Sequence, residues 1–336
     1  MAELDVLRDP RWLPMGIDAD AARVRFVRAD DALVRDATFL GAGFARDLPS
    51  AELDAAAVRS ATLDDHPASW IWHTAFCRST LLARALDHPG ACRALREPAL
   101  LMDLANLQRV PPRHGPLDPA LRDAAFALLA RRVQPAERVL VKPTNAANNL
   151  LAPLLAARPA DRVLLLHSSL EDFLLSLARK GQQGATFVRH LLKVLLLDAG
   201  GSGLPPQQLL ELTDLQVVAL TWRVQLEALA RAAAPHPDRV RVLDSTRLLT
   251  APQATLRAAA EWLALPLDAA TRAAIVAGPV FAHDAKGTRG AYDLDAYAAE
   301  RSAARAALGP DLELVLEWSR GLSHGPPPLA TLPALA

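Results

Sequence analysis

The sequence predicts a helix-rich α/β chain whose helices cover both faces of a central parallel sheet of about five strands. Three observations carry this expectation. Four short apolar runs, Ser69-Trp70-Ile71-Trp72, Val139-Leu140-Val141, Val163-Leu164-Leu165-Leu166 and Val240-Arg241-Val242-Leu243, have the length and content of buried strands. Helical patterns of about a dozen residues separate them, the alternation that a parallel sheet needs. Good helix formers dominate the composition, while aromatic residues make up only 5%.

Residues 1–65 are mixed and polar and end in the turn-like Asp64-Asp65-His66-Pro67, so they read as an N-terminal extension packed on or beside the core. The main domain is expected over 66–324. After the first strand, Leu81, Leu82, Ala85 and Leu86 share one helical face, and the helix stops before His88-Pro89-Gly90. Residues 91–95 supply a fifth, weaker strand signal, and 120–132 read as helix. Ser168-x-x-Glu171 has the form of a capping box, opening a helix that runs through Leu177 and is closed by Gly181. Residues 207–234 read as almost wholly helical. The tail 325–336, with three consecutive prolines, is expected to lack structure.

Composition narrows the function classes. Thirty-seven Lys and Arg balance thirty-seven Asp and Glu, which argues against nucleic acid or an anionic membrane held by bulk positive charge. Two cysteines cannot build a disulfide framework, and the His, Cys, Asp and Glu spacings suggest no metal site. The first residues are charged and lack a signal-peptide core, and no apolar run reaches the roughly 18 residues of a spanning helix; a cytoplasmic protein is expected. Only four of the cations are lysine: Lys142, Lys180, Lys193 and Lys286. Lys180 and Lys193 read as solvated helix positions.

Parallel sheets bind ligands at the carboxyl ends of their strands. The loop after the first strand reads His73-Thr74-Ala75-Phe76-Cys77-Arg78-Ser79-Thr80. Backbone amides and hydroxyls at such a strand-to-helix turn can cradle phosphate, although Ser79 and Thr80 serve equally well as ordinary helix caps. The pattern G-x-x-x-x-G-K-[S/T] is absent, which disfavours a P-loop kinase.

Residues 79–98 resemble the start of the sulfotransferase superfamily, especially its bacterial and tyrosylprotein-type members. There a Pro-Arg-Ser-Gly-Ser/Thr-Thr loop precedes Leu-Leu-x-x-x-Leu-Asp-x-His-Pro and, after the second strand, a Glu. Ala75, Phe76, Cys77, Arg78, Ser79 and Thr80 fall on the six loop positions and Glu97 on the Glu. The similarity continues in order: Lys142 ending the Val139–Val141 strand, Ser168 and Ser176 where the family binds the donor's 3′-phosphate, the strand and helix from Val242 to Pro266, and Lys286-Gly287-Thr288-Arg289-Gly290 as a C-terminal anion loop. The resemblance implies a three-layer, P-loop NTPase-like fold. It also implies transfer of a sulfuryl group from 3′-phosphoadenylyl sulfate, without a metal, to a hydroxyl or amine of a small-molecule or carbohydrate acceptor. In that scheme Glu97 is the base, Lys142 and Arg78 are the candidate cations for the leaving group, and Ala75 to Thr80, Ser168, Ser176, Lys286, Gly287 and Gly290 hold the donor.

Two departures from the family pattern stand out. Phe76 occupies a position usually filled by Lys or Arg, and Arg78 one usually filled by Gly. Arg78 can either obstruct the approach of a phosphate or return the charge that Phe76 removes. Ser168 replaces an Arg, a weaker phosphate partner. Each site residue also has a plainer reading: Ser168 as a helix cap, Lys142 as a strand-end lysine, Glu97 as the partner of Arg93 or Arg96, Cys77 as a small buried apolar residue. The alternative function is a non-catalytic protein of the same fold that binds a nucleotide or a partner protein through the altered loop. The sequence does not define an oligomeric state.

Overall fold

The computed structural model describes residues 3–20, 22–63, 66–111, 115–201, 203–283, 294–322 and 328–336. All five expected strands form: β4 (Ser69–His73), β5 (Cys92–Arg96), β6 (Arg138–Lys142), β7 (Arg162–His167) and β8 (Val240–Asp244), following three N-terminal strands taken up below. They lie in one parallel sheet in the order β5-β6-β4-β7-β8. The period of two sorts their side chains between two cores. Trp70, Trp72, Leu95, Val139, Val141, Val163, Leu165, Val240 and Val242 face one core, packed by Leu100, Leu104, Leu151, Leu226 and Leu229 from the covering helices. Ile71, Ala94, Leu140, Leu164, Leu166 and Leu243 face the other, against Leu82, Leu86, Leu256 and Leu263. This is the expected helix–sheet–helix sandwich.

The topology places a crevice at one spot. The chain leaving β4 enters the helix Ser79–Leu86 on the second face and goes outward to β5. The chain leaving β7 goes the opposite way to β8, returning through the helix Asp214–Ala233, which packs on the first face. Loops from two adjacent strands thus diverge above their carboxyl ends, where open α/β sheets bind ligands.

The N-terminal segment contributes a separate antiparallel sheet, β1 (Trp12–Asp18), β2 (Arg23–Arg28) and β3 (Ser50–Asp54), in that order. Leu13, Met15 and Val27 of this sheet lie in the same core as Trp70 and Leu104. A buried charge network adds to the seam. Arg35 pairs with Asp87 and with Glu137 (2.8 Å), Arg96 with Asp87 (2.6 Å) and Arg93 with Asp31 (2.7 Å). Burial of these ions is compensated only because each has its partner, so removing one would be costly.

Two local expectations need correction. The helix after β7 is Leu170–Ala178 and its cap is Ser169, whose hydroxyl accepts from the Asp172 N–H at 3.1 Å; Ser168 lies one residue earlier. Residues 207–234 are almost wholly helical, as the sequence predicts, with one break at Leu212 and Thr213. The helix Pro206–Glu211 ends, and Thr213 starts Asp214–Ala233 with a complete capping box to Gln216. The tail from Pro328 is ordered: Leu329, Leu332 and Leu335 are buried, and Val242 exchanges backbone hydrogen bonds with Pro333 (2.9 Å) and Leu335 (2.8 Å). The tail thus continues the edge of the sheet beyond β8 through a bridge between Val242 and Ala334. Among the described residues no helix is long and apolar enough to cross a membrane.

A docked tail makes a stability prediction. Leu335→Ala should lower the unfolding free energy by about 2–5 kcal/mol, the usual range for a buried leucine, read from the urea midpoint at constant m-value. A change below a few tenths of a kcal/mol would show that the tail contributes no packing.

Candidate active site at the end of the central strand

The carboxyl end of β4 is fixed from several sides. The Thr74 N–H donates to the Leu166 carbonyl of β7 (3.1 Å), and the Ala75 N–H donates to Gln225 Oε1 (2.9 Å) from the long helix behind the sheet. Both ring nitrogens of buried His73 lie against carbonyl oxygens, Nδ1 at 2.8 Å from that of Thr74 and Nε2 at 3.0 Å from that of Pro143. The chain then turns into the helix Ser79–Leu86 without a glycine. It does so by placing Phe76 (φ 55°) and Arg78 (φ 60°) in the left-handed region. Arg78 therefore adopts the backbone conformation that glycine supplies most cheaply, at a cost of order 1–3 kcal/mol for a residue with a side chain. The N–H groups of Phe76, Cys77 and Arg78 have no acceptor among the described residues. They lie next to the first turn of a helix whose dipole favours an anion.

This loop lines a cavity of about 770 Å³, a volume suited to a small-molecule ligand. Ala75, Phe76, Cys77, Arg78, Ser79, Thr80, Glu97 and Ser176 all border it, so the structure brings together most of the residues singled out from the sequence. Lys286, Gly287 and Gly290 lie outside the described residues. Two expected participants sit elsewhere. Ser168 is fully buried and does not line the cavity; its hydroxyl has no partner among the described residues, and its carbonyl accepts from Trp222 Nε1 at 2.9 Å. Lys142 is also fully buried and reaches the cavity only through Glu97, with Nζ 2.5 Å from Glu97 Oε1.

That pair changes the reading of both residues. Glu97 does not pair with Arg93 or Arg96, which belong to the network around Asp31 and Asp87. It sits directly after β5 with φ 53°, its N–H donating to the Lys142 carbonyl at 2.7 Å while its carboxylate takes the Lys142 ammonium. Backbone and side chain are thus both tied to the end of β6. Phe39 lies over the same ammonium, 5.7 Å from its ring centroid. A carboxylate facing the cavity and fixed in this way suits a general base, and Lys142 is its positioning residue.

The cavity has residues that the sequence reading missed. Arg179 and Lys180 border it, as do Phe187 and Tyr297. Tyr297 lies between two guanidinium groups, 4.5 Å from Arg78 and 6.0 Å from Arg179, and Arg179 also pairs with Glu300 at 2.5 Å. The helix Leu294–Leu308 that carries Tyr297 is attached to the helix after β7 by Arg301, which bonds Glu171 (2.7 Å) and Asp172 (2.9 Å). The one local hint was Gly181, which does not close the helix after β7, already ended at Ala178, but opens the next one in left-handed backbone directly after Lys180.

No family model matches the chain, and no curated protein matches it. Among solved structures it is similar to the sulfotransferase domain from the curacin biosynthetic pathway, at 14% identity over 73% of this chain and 98% of that one, with a TM-score of 0.42. It is similar to a sulfotransferase from Alicyclobacillus acidocaldarius at 14% identity, over 78% and 98% of the two chains, with a TM-score of 0.38. It is similar also to one from Mycobacterium avium at 16% identity, over 77% and 79%, with a TM-score of 0.37. Likenesses of this size assign neither an activity nor a residue.

Burial raises the Cys77 thiol to about 11, against smaller opposing effects from the Lys142 charge and from hydrogen bonds at Thr74 and Ser79. Cys92 is raised well above its ordinary range for the same reason, reinforced by the Asp87 carboxylate. At pH 8 both thiols should stay protonated and resist a disulfide reagent in the native protein, then react together on unfolding in urea. Rapid labelling of one native thiol would show instead that Cys77 is an exposed, activated group.

Proposed function

We propose that the chain transfers a sulfuryl group from 3′-phosphoadenylyl sulfate to a hydroxyl or amine of a small-molecule or carbohydrate acceptor. The observation that carries this reading is the juxtaposition, in one cavity at the switch point of the sheet, of an amide-lined anion loop and a fixed carboxylate. The donor fits the residues present: loop amides without an acceptor among the described residues and the Ser79 and Thr80 hydroxyls suit its 5′-phosphate, and Arg78 adds a guanidinium at the cavity. Ser176 borders the same cavity. The ordered sequence resemblance from the loop to residue 290 supports the same donor.

Sulfuryl transfer asks little covalent work of a protein. The demands are alignment of acceptor, sulfur and leaving oxygen, removal of one proton, and neutralisation of charge on the leaving group. Glu97 takes the acceptor proton, and the Lys142 ion pair with its backbone bond to β6 holds the carboxylate where the acceptor must approach. The helix Ser79–Leu86 and the loop amides fix the phosphate end. An apolar Phe76 in the loop favours a second reading, a non-catalytic protein that binds the same nucleotide.

Thermal unfolding separates the two readings from each other and from a kinase. Adenosine 3′,5′-bisphosphate at a hundredfold excess over its dissociation constant should stabilise the protein by about 2.7 kcal/mol, and ATP with Mg²⁺ should do less. With phenols, sugars and amines as acceptors, Glu97→Gln should slow bisphosphate release by about 10²–10⁴-fold while leaving bisphosphate binding intact. Binding without release in the wild type would support the non-catalytic reading, and no stabilisation by the bisphosphate would sink the donor assignment.

A further inference from the structure

We infer that Tyr297, on the helix Leu294–Leu308, is a positioning residue that holds the Arg78 guanidinium ready for an oxyanion in the cavity, the phosphate or sulfate group of a bound ligand. The inference rests on the anion-binding half of the reading above and adds to it a residue from outside the loop. Arg78 is fixed at both ends. Its backbone is left-handed (φ 60°), so the turn itself sets the direction in which the side chain leaves the loop. At the far end, Nη1 donates to Ser245 Oγ at 3.3 Å, and the guanidinium carbon lies over the Tyr297 ring, 4.5 Å from its centroid. Ser245 is itself fixed: it is fully buried directly after β8, and its N–H donates to the His167 carbonyl at the end of β7 (2.8 Å).

Both of these contacts are to neutral groups. Among the described residues no carboxylate pairs with Arg78, so its charge is uncompensated and its other N–H donors are unused beside the cavity that it lines. An arginine has much rotamer freedom to lose when it closes on a ligand, and one restricted beforehand loses less. A carboxylate partner would restrict the side chain and neutralise it. An aromatic face restricts it and leaves the charge available to an oxyanion.

The helix that carries Tyr297 is built to deliver it. Glu300, Arg301 and Ala304 follow Tyr297 at helical spacing and share its face. That face is fastened to the helix Leu170–Ala178 and the residue after it. Arg301 bonds Glu171 (2.7 Å) and Asp172 (2.9 Å), Glu300 pairs with Arg179 (2.5 Å), and Ala304 is buried in the core that holds Phe173 and Leu177. Three anchors on one face thus set where the ring lies. The Tyr297 hydroxyl makes no hydrogen bond among the described residues, so the ring face is what this residue contributes.

Calorimetric titration of the full chain tests this, with adenosine 3′,5′-bisphosphate and, as a probe independent of the nucleoside, inorganic pyrophosphate. Tyr297→Leu should raise the dissociation constant by about 3–30-fold, while Tyr297→Phe, which keeps the ring, should stay within about twofold of wild type. Arg78→Ala should raise it by about 10–100-fold, and adding Tyr297→Leu to Arg78→Ala should cost nothing more. The same loss from Tyr297→Leu in both backgrounds would mean only that the helix docks less well, and it overturns the positioning role. So does no loss in Tyr297→Leu, or an equal loss in Tyr297→Phe; the transfer reading survives all three. A wild type that binds pyrophosphate with this Tyr297 dependence but does not bind the bisphosphate overturns the donor assignment and supports the role of Tyr297. A wild type that binds neither overturns both.

Discussion

The chain must pass from the central strand into a helix within five residues and without a glycine, and much of the site depends on how it does so. Two residues with side chains, Phe76 and Arg78, take up left-handed backbone, and a third, Glu97, does so at the end of the next strand in sequence. Each costs of order 1–3 kcal/mol, so the surroundings must over-determine them. They do. Trp70, Ile71 and Trp72 anchor β4 with no exposure at all, Gln225 takes the first loop amide, and the Phe173 and Phe187 rings hold Phe76. The resulting turn leaves three amides without an acceptor among the described residues and places an aromatic and a charged side chain beside the cavity, where a glycine loop would have left only backbone.

A formal charge of zero over the whole chain conceals a strong sorting of charge by depth. Deep in the protein, cations and carboxylates neutralise each other in fixed pairs: Arg35, Arg93 and Arg96 with Asp31, Asp87 and Glu137, Arg158 with Asp161 at 2.6 Å, and Lys142 with Glu97. Such pairs hold register and orientation more than they add net stability. At the cavity the balance tips, with Arg78, Arg179 and Lys180 against Glu97 and Asp295 among the described lining residues. A locally positive, partly enclosed site on a neutral protein confines its attraction for anions to the cavity.

The sheet was legible because burial on both faces leaves continuous apolar runs, and because each run is followed by a helix with a regular period. The loop that borders the cavity was legible for the same reason, since the end of a well-marked strand fixes where to look. Sequence signals failed where long-range contacts decide the outcome. Arg23–Arg28 carries the two-residue alternation of a half-buried strand, but what that face packs against is set only by pairing with β1 and β3, which buries Val24, Phe26 and Val27. The tail has too few residues to show a period, and its three buried leucines matter only because β8 offers an open edge. Ser168 carries the Ser-x-x-Glu signature, but β7 runs to His167 and the helix starts at Leu170, so Ser169 takes the cap.

The cations illustrate the same limit more sharply. Lys142 stands at a strand end, the position at which a ligand-binding residue is sought, yet its ammonium serves the neighbouring strand's carboxylate. Lys180 reads as a solvated position and is exposed, yet its ammonium also lies 5.7 Å from the Phe76 ring centroid beside the cavity. Position in a motif specifies a backbone site, whereas charge acts through the place its atoms reach, and a side chain about 6 Å long can supply the same place from another element. An apolar Phe76 in the loop is therefore compatible with charged residues around the cavity. The Phe76 ring brings no charge of its own and at the same time lies under the Lys180 ammonium, so one loop residue and one glycine turn outside the loop form a single arrangement.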